Sequence, residues 1–274
     1  MREEDLVRRE LFYHYTSIDA FCGILSSGAV WATDSRFLND QKELRHAFKL
    51  FASALKESKH HLANEILDWH NYFWCHCVFS MSRSPEVLSQ WRAYGDDGYG
   101  VALGIVAAKI AEWSGNSSVC LVECIYTDHE DFIRQLIVDL EEELEKLTQL
   151  RSEALRVNSL HQAIRNNPSP LNAVFAQLLR VKNSAFQEEK EVRLVFSVDP
   201  ETVALRARGR LFVPYVEHKL LYDEPGSKRL EMVVPEVWLG PKCDERNVEA
   251  LQLQQRLYWT SSMGGIRRYD CSYV

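Results

Sequence analysis

The sequence predicts an α+β protein, and three stretches carry that reading. Leu11–Asp40 reads as a short strand, a helix from Ser17 to about Ser27 stopped by Gly28, and a second strand over Val30–Thr33. Tyr72–Ser82 and Glu189–Ser197 alternate in chemistry from residue to residue, the signature of strands with two distinct faces. Between them, Glu130 to about Arg156 keeps Phe132, Ile133, Leu136, Ile137, Leu140, Leu144 and Leu147 on one face of a long helix.

In chain order, Ile18, Phe21, Cys22 and Leu25 form the apolar stripe of the first helix. Asp40 with Glu43 resembles a capping box opening a helix to about Glu57, with Leu44, Phe48, Phe51 and Leu55 inward. His60, His61 and His70 fall around the next helical segment. On Tyr72–Ser82, Cys75, Cys77, Phe79 and Met81 share one face, and His76, Val78, Ser80 and Ser82 the other. Pro85 starts a short helix through LSQWRAYG, YGVALGI is a buried strand, and Val119–Tyr126 is its expected neighbour. Leu171–Ser184 is helical. Further strands are expected at Arg210–Val213, Glu236–Leu239 and Ile266–Ser272, with a helix at about Asp244–Tyr258 before the last. The Asn166–Pro170 break reads as a loop within a single domain of residues 1–274, with a helical insertion at about 128–184, because neither half looks complete alone.

Bulk properties narrow the function. Net charge −7 and a pI near 5.8 argue against gripping nucleic acid through a general basic field, and leave Arg206–Arg210 and Arg267-Arg268 as the basic clusters. The charged N-terminus lacks a signal-peptide pattern, and no window approaches the roughly 20 apolar residues of a membrane span. Seven irregularly spaced cysteines fit a reducing cytoplasm better than a disulfide scaffold. Small buried hydrophobes are the default reading of Cys75-His76-Cys77, since structural zinc prefers paired ligands at tight spacing; no metal is expected.

Candidate chemistry gathers at four places. His14 and Thr16, two apart on a strand, point to the same side at a strand–helix corner suited to a nucleotide. Glu189, Glu191 and Arg193 put three charges on one strand face, either an exposed edge laced by ion pairs or the wall of a cleft. Trp91 and Tyr94 share a helix face and serve either core packing or stacking. Asn39 closes the polar turn after the second strand. No GxSxG, GxxxxGK[ST] or GxGxxG is present, which removes the commonest hydrolase, ATPase and dehydrogenase readings.

YHYTS, WATDSRFLNDQKEL, FSMSRSPEVLSQWRAYGDDGYGVALGI, FQEEKEVRLVF, FVPYVE and VWLGPKC, in this order from Leu11 to the C-terminus, resemble an uncharacterised, mostly bacterial family catalogued as a domain of unknown function. A weaker resemblance, in the order of a His-Tyr-Thr strand, a Ser-x-Ser strand and a Glu-x-Glu strand, is to the ADP-ribosyltransferase superfamily. That resemblance implies mixed, mostly antiparallel sheets with flanking helices and NAD as substrate. His14 and Thr16 would hold the adenine-side ribose and nicotinamide amide, Ser80 and Ser82 would brace the floor, and Glu191 would be the catalytic carboxylate. Glu189 would orient or deprotonate the acceptor, a protein or nucleic acid, and Trp31, Tyr15 or Tyr94 would stack on nicotinamide. Arg193 beside Glu191 would lower its pKa or lock it in a structural ion pair. The alternatives are a non-catalytic nucleotide- or partner-binding module around Trp91 and Tyr94, and a metal-dependent nuclease using Asp34, Asp40, Glu189 and Glu191.

Overall fold

The computed structural model describes residues 10–39, 41–58, 60–63, 75–107, 110, 119–157, 166–223, 230–232, 234–258 and 265–273. Strand β1 (Leu11–Thr16) runs through Ser17 into helix α1 (Ile18–Ser27). The Ser17 hydroxyl oxygen accepts the Ala20 N–H at 3.2 Å, which satisfies a donor the helix leaves open. Gly28 ends α1 in the left-handed region (φ 65°), its N–H returning to the Ile24 carbonyl, and releases the chain into β2 (Ala29–Asp34). The buried side of α1 is Phe21, Ile24 and Leu25; Ile18 and Cys22, expected on that stripe, are exposed.

Helix α2 (Gln41–Glu57) buries Leu44, Ala47, Phe48, Phe51 and Leu55. Then come β3 (Cys75–Ser82), α3 (Leu88–Ala93), β4 (Val101–Val106) and β5 (Val119–Glu123). Three helices follow, α4 (His129–Asp139), α5 (Glu141–Val157) and α6 (Ser169–Leu178), before β6 (Glu191–Val198). The hairpin β7 (Ala204–Arg208) and β8 (Leu211–Lys219) precedes the short pair β9 (Leu221–Asp223) and β10 (Leu230–Met232). The described chain finishes with β11 (Glu236–Leu239), α7 (Arg246–Tyr258) and β12 (Gly265–Arg268). Asp40, His70 and the part of Tyr72–Ser82 before Cys75 lie outside the described residues.

The fold is α+β, with a mixed, mostly antiparallel main sheet. Its ladders are antiparallel except β11–β12. Strand β3 is its joint. One edge of β3 pairs with β6 along its whole length, from Cys75 opposite Val198 to Ser82 opposite Glu191. The other edge is divided: β1 meets it at Tyr13 opposite Ser82, and β2 meets it at Thr33 and Asp34, opposite Val78 and Cys77. Beyond that fork β1 continues to β4, β11 and β12, whereas β2 continues to β8 and β7.

Alternation along β3 and β6 feeds two cores. Val78 and Val195, with Val122 of β5, pack under α2, α4, α5 and α6. Cys77, Phe79, Met81, Val192, Leu194 and Phe196 face a second core containing Phe12, Ile105 and Val237. Each fully buried aliphatic or phenyl side chain there contributes about 1.5–3 kcal/mol. Among the described residues, no helix is long and apolar enough to cross a membrane.

Several expected boundaries move. The long helix breaks at Leu140, where α4 stops and α5 begins. Leu171–Ser184 is helical only to Leu178; Val181 makes a parallel bridge to Ile125, and a 3-10 turn follows over Ser184–Glu189. Strand β5 pairs with β6 and not with β4, because β4 is already held between β1 and β11. The strand expected from Arg210 begins at Leu211 and runs on to Lys219, with β7 as an additional partner.

Gly100 shows how closely the corner after β1 is packed. A Cβ there would sit 2.2 Å from the Thr16 carbonyl oxygen and 2.8 Å from that of Gly95, both backbone atoms that cannot swing away. Gly100→Ala should therefore cost about 1–3 kcal/mol or more, the range for overpacking, read as a lower urea midpoint at unchanged slope.

Candidate functional site

The fork in the sheet makes a cavity. β1 and β2 separate from the shared edge of β3 and leave Phe79, Ser80 and Met81 without a strand partner on that side. The Ser80 carbonyl takes a side chain in place of a strand: His14 Nδ1–H donates to it at 2.9 Å. Roofed by α1 and flanked by β6 and β7, the opening holds about 650 Å³, inside the range of small-molecule sites.

His14, Tyr15 and Thr16 of β1 line this cavity, with Trp31 of β2 and Asn39 beyond it. Ser80 of β3, Tyr94, Glu189, Glu191 and Arg193 line it as well. Trp31 is 45% exposed and Tyr94 39%, so both rings are accessible. Two expected residues lie outside the lining. Ser82 is turned into the chain, donating its hydroxyl to the Glu189 carbonyl at 2.7 Å. Trp91 is a fully buried core residue, its indole N–H given to the Pro85 carbonyl at 2.9 Å and its ring edge-on to Tyr15.

Four buried charges form one wall. Glu191 Oε1 accepts from Arg193 Nε at 2.9 Å, and Oε2 from Arg193 Nη2 at 2.8 Å and Lys182 Nζ at 2.6 Å. Lys182 also donates to Glu189 Oε2. The triple is thus the wall of a cleft and not an exposed edge, since β6 lies between β3 and β5. Glu189 is not on the strand. It ends the 3-10 turn, and Lys190 in the left-handed region (φ 46°) folds the chain so that both glutamates reach one lysine. That conformation costs a non-glycine residue about 1–2 kcal/mol, which the buried network holds in place.

Burial alone would raise the Glu191 carboxyl, but the Arg193 and Lys182 charges outweigh it and hold the group well below the usual carboxylate range. Burial lowers the Lys182 ammonium, and Glu191 and Glu189 together reverse that, so it stays charged. His14 behaves oppositely. Burial lowers its pKa, and the nearby Arg206 charge adds to this against the opposing Ser80 bond, which favours a neutral ring donating through Nδ1.

Sequence reasoning missed Lys182, Gln90, Asp19, Arg206 and Arg208 as lining residues. Lys182 gave no signal, being one lysine in a stretch read as helix. The Arg-x-Arg alternation of 206 and 208 was visible as a basic cluster and also has the period of a strand face.

Of the nuclease set, Asp34 is fully buried and its two carboxylate oxygens accept from Arg36, Asp40 lies outside the described residues, and each lining glutamate is held by a cation. Among the described residues, no three of His, Cys, Asp and Glu gather as a metal site. His76 stacks on Phe175 and reaches Asn172 at 3.2 Å, and Cys77 is a core residue.

Fold and site thus define an α+β protein with a cavity of about 650 Å³ at a sheet fork, walled on one side by paired charges. Residues 90–194 match a family model described as "Protein of unknown function (DUF2971)". The matched stretch begins within LSQWRAYG and ends within β6, a shorter span than the motif resemblance, so YHYTS and ATDSRFLND fall outside it. No curated protein and no solved structure matches the chain.

The charge wall makes a prediction about pH. A carboxyl whose folded-state pKa lies below its unfolded value stabilises fully above about pH 4.5, and that stabilisation is lost as pH falls below it. Glu191→Gln should cost about 3–5 kcal/mol near neutral pH by leaving Lys182 and Arg193 undercompensated. In urea titrations the gap between wild type and variant should hold down to about pH 5 and narrow steadily on acidification from there to about pH 3.

Proposed function

We propose that the cavity binds NAD and that the protein breaks its nicotinamide–ribose bond, passing ADP-ribose to a protein or nucleic-acid acceptor or to water. The observation carrying this reading is that His14 and Glu191, from opposite ends of the motif order resembling ADP-ribosyltransferases, line one cavity. Its volume suits a nucleotide-sized ligand.

Each residue then has work suited to its state. His14, neutral and fixed through Nδ1, offers Nε2 as an acceptor for a ribose hydroxyl, with Thr16 on the same strand as a second polar contact. Trp31 supplies an accessible ring for a flat heterocycle. Glu191, ionised across the ordinary pH range, places negative charge where the ribose carbon becomes electron-poor as the bond to nicotinamide lengthens. Its Oε1 accepts only Arg193 Nε among the described residues and keeps a lone pair for a hydroxyl. The bonding electron pair leaves with the pyridinium nitrogen, giving neutral nicotinamide. The attacking acceptor surrenders its proton toward Glu189.

A second reading has its own observation. Both Glu191 oxygens are engaged by cations, the arrangement of a carboxylate fixed for structure, which favours a nucleotide-binding module without turnover. Nicotinamide release from NAD separates the two. The enzyme reading expects release that falls roughly 10²-fold in Glu191→Gln and in Glu189→Gln, assayed at a temperature where melting curves show each variant folded. The binding reading expects NAD to raise the melting temperature with no nicotinamide released.

A further inference from the structure

The two ends of the cavity differ in charge balance. Lys182 and Arg193 are matched by Glu189 and Glu191. Arg206 and Arg208, on the β7 wall, form no ion pair among the described residues, in a chain whose net charge is −7. They sit two apart on one strand, so their side chains leave the same face about 7 Å apart.

Arg206 is held by two aromatic rings and a hydroxyl. Its guanidinium carbon lies 5.5 Å from the Trp31 ring centroid and 5.7 Å from that of Tyr215, and Nη2 donates to Thr33 Oγ1 at 2.7 Å. The buried Nε has no hydrogen-bond partner, an arrangement native structures rarely leave without cause. One of five N–H donors is used within the described protein. Burial and the like charge of Arg208 both disfavour the charged state of Arg206, a cost that an anion between them would relieve.

We propose that Arg206 and Arg208 form a diphosphate subsite, which makes the ligand of this cavity a diphosphate-bridged nucleotide and not a nucleoside or a single phosphate. A diphosphate carries one charge on each phosphoryl group, matching one guanidinium apiece with oxygens placed for bidentate pairing. Trp31, in contact with the Arg206 guanidinium, then lies beside the diphosphate where an attached ring can stack. The subsite rests on the nucleotide reading for the rest of the ligand, but its own chemistry requires only the two phosphoryl groups.

The test is calorimetric titration of the full-length protein with inorganic pyrophosphate and orthophosphate in metal-free buffer. The proteins compared are wild type, Arg206→Lys, Arg208→Gln and, as a control, Arg246→Gln, whose arginine pairs with Asp244 on the surface. Arg208 is exposed, so its variant folds even where changing Arg206 disturbs the aromatic clamp. The expected result is pyrophosphate binding that weakens about tenfold or more in Arg208→Gln and Arg206→Lys but not in the control. Absent binding, equal affinity in all four proteins, or orthophosphate binding as tightly as pyrophosphate overturns the proposal. Arginine-dependent pyrophosphate binding with no nicotinamide release leaves the subsite standing and removes the NAD-cleaving reading. Nicotinamide release with an unchanged KM in both arginine variants does the reverse.

Discussion

The buried network of Lys182, Glu189, Glu191 and Arg193 is the constraint on which the site depends. Taking four charges out of water is expensive, and such networks rarely add net stability over an apolar replacement. What this one supplies is position. Arg193 Nη1 donates to the Leu179 carbonyl at 2.6 Å, tying the end of α6 to β6. The Glu191 N–H meets the Tyr126 hydroxyl at 2.7 Å, and the Cys124 N–H returns to the Glu191 carbonyl at 3.0 Å. Lys182 therefore joins the helical layer, the 3-10 turn and the central strand at one ammonium.

That joint lies across from the fork, and the two features need each other. β3 shares its edge between β1 and β2 because α1 returns the chain parallel to β1 and not in a hairpin beside it. A strand edge divided in this way leaves carbonyls to be satisfied by side chains, and His14 does so at Ser80. Ser80 in turn stands opposite Arg193 across the β3–β6 ladder, and Ser82 opposite Glu191. The charge wall is therefore registered to the fork by backbone pairing, which holds its geometry more firmly than surface ion pairs would.

Much of this was legible from residue patterns. Alternation put Cys77, Phe79, Met81, Val192, Leu194 and Phe196 on the faces that enter one core, because a period of two admits only one assignment once one face is apolar, whereas Val78 and Val195 enter the other core from the opposite faces. Ten of the twelve candidate site residues line one cavity. The misses have physical causes. Glu-Lys-Glu has the spacing of a strand face, and nothing local announces that Lys190 takes a left-handed conformation; tertiary charge pairing imposes it. The α4–α5 break at Leu140 interrupts no apolar stripe, since Ile133, Leu136, Leu144 and Leu147 still enter one core. Trp91 and Tyr94 share a turn of helix, yet Tyr15 and Tyr269 enclose the indole while the tyrosine stays at the cavity.

The lining as a whole bears on what the cavity suits. A neutral imidazole, two accessible aromatic rings and a self-compensated charge wall surround the part nearest β1, β2 and β6, where an uncharged sugar and heterocycle lose little on leaving water. Uncompensated positive charge is confined to β7, next to Trp31. Asp19 on the exposed first turn of α1 is the remaining acid of the lining, and it does not pair with either arginine. A uniformly anionic ligand would meet Glu189 and Glu191 at the far wall, and a uniformly apolar one would leave the buried Nε of Arg206 without a hydrogen-bond partner. The ligand proposed above would suit this arrangement, with its two phosphoryl charges beside β7 and a sugar and flat ring nearest β1, β2 and β6.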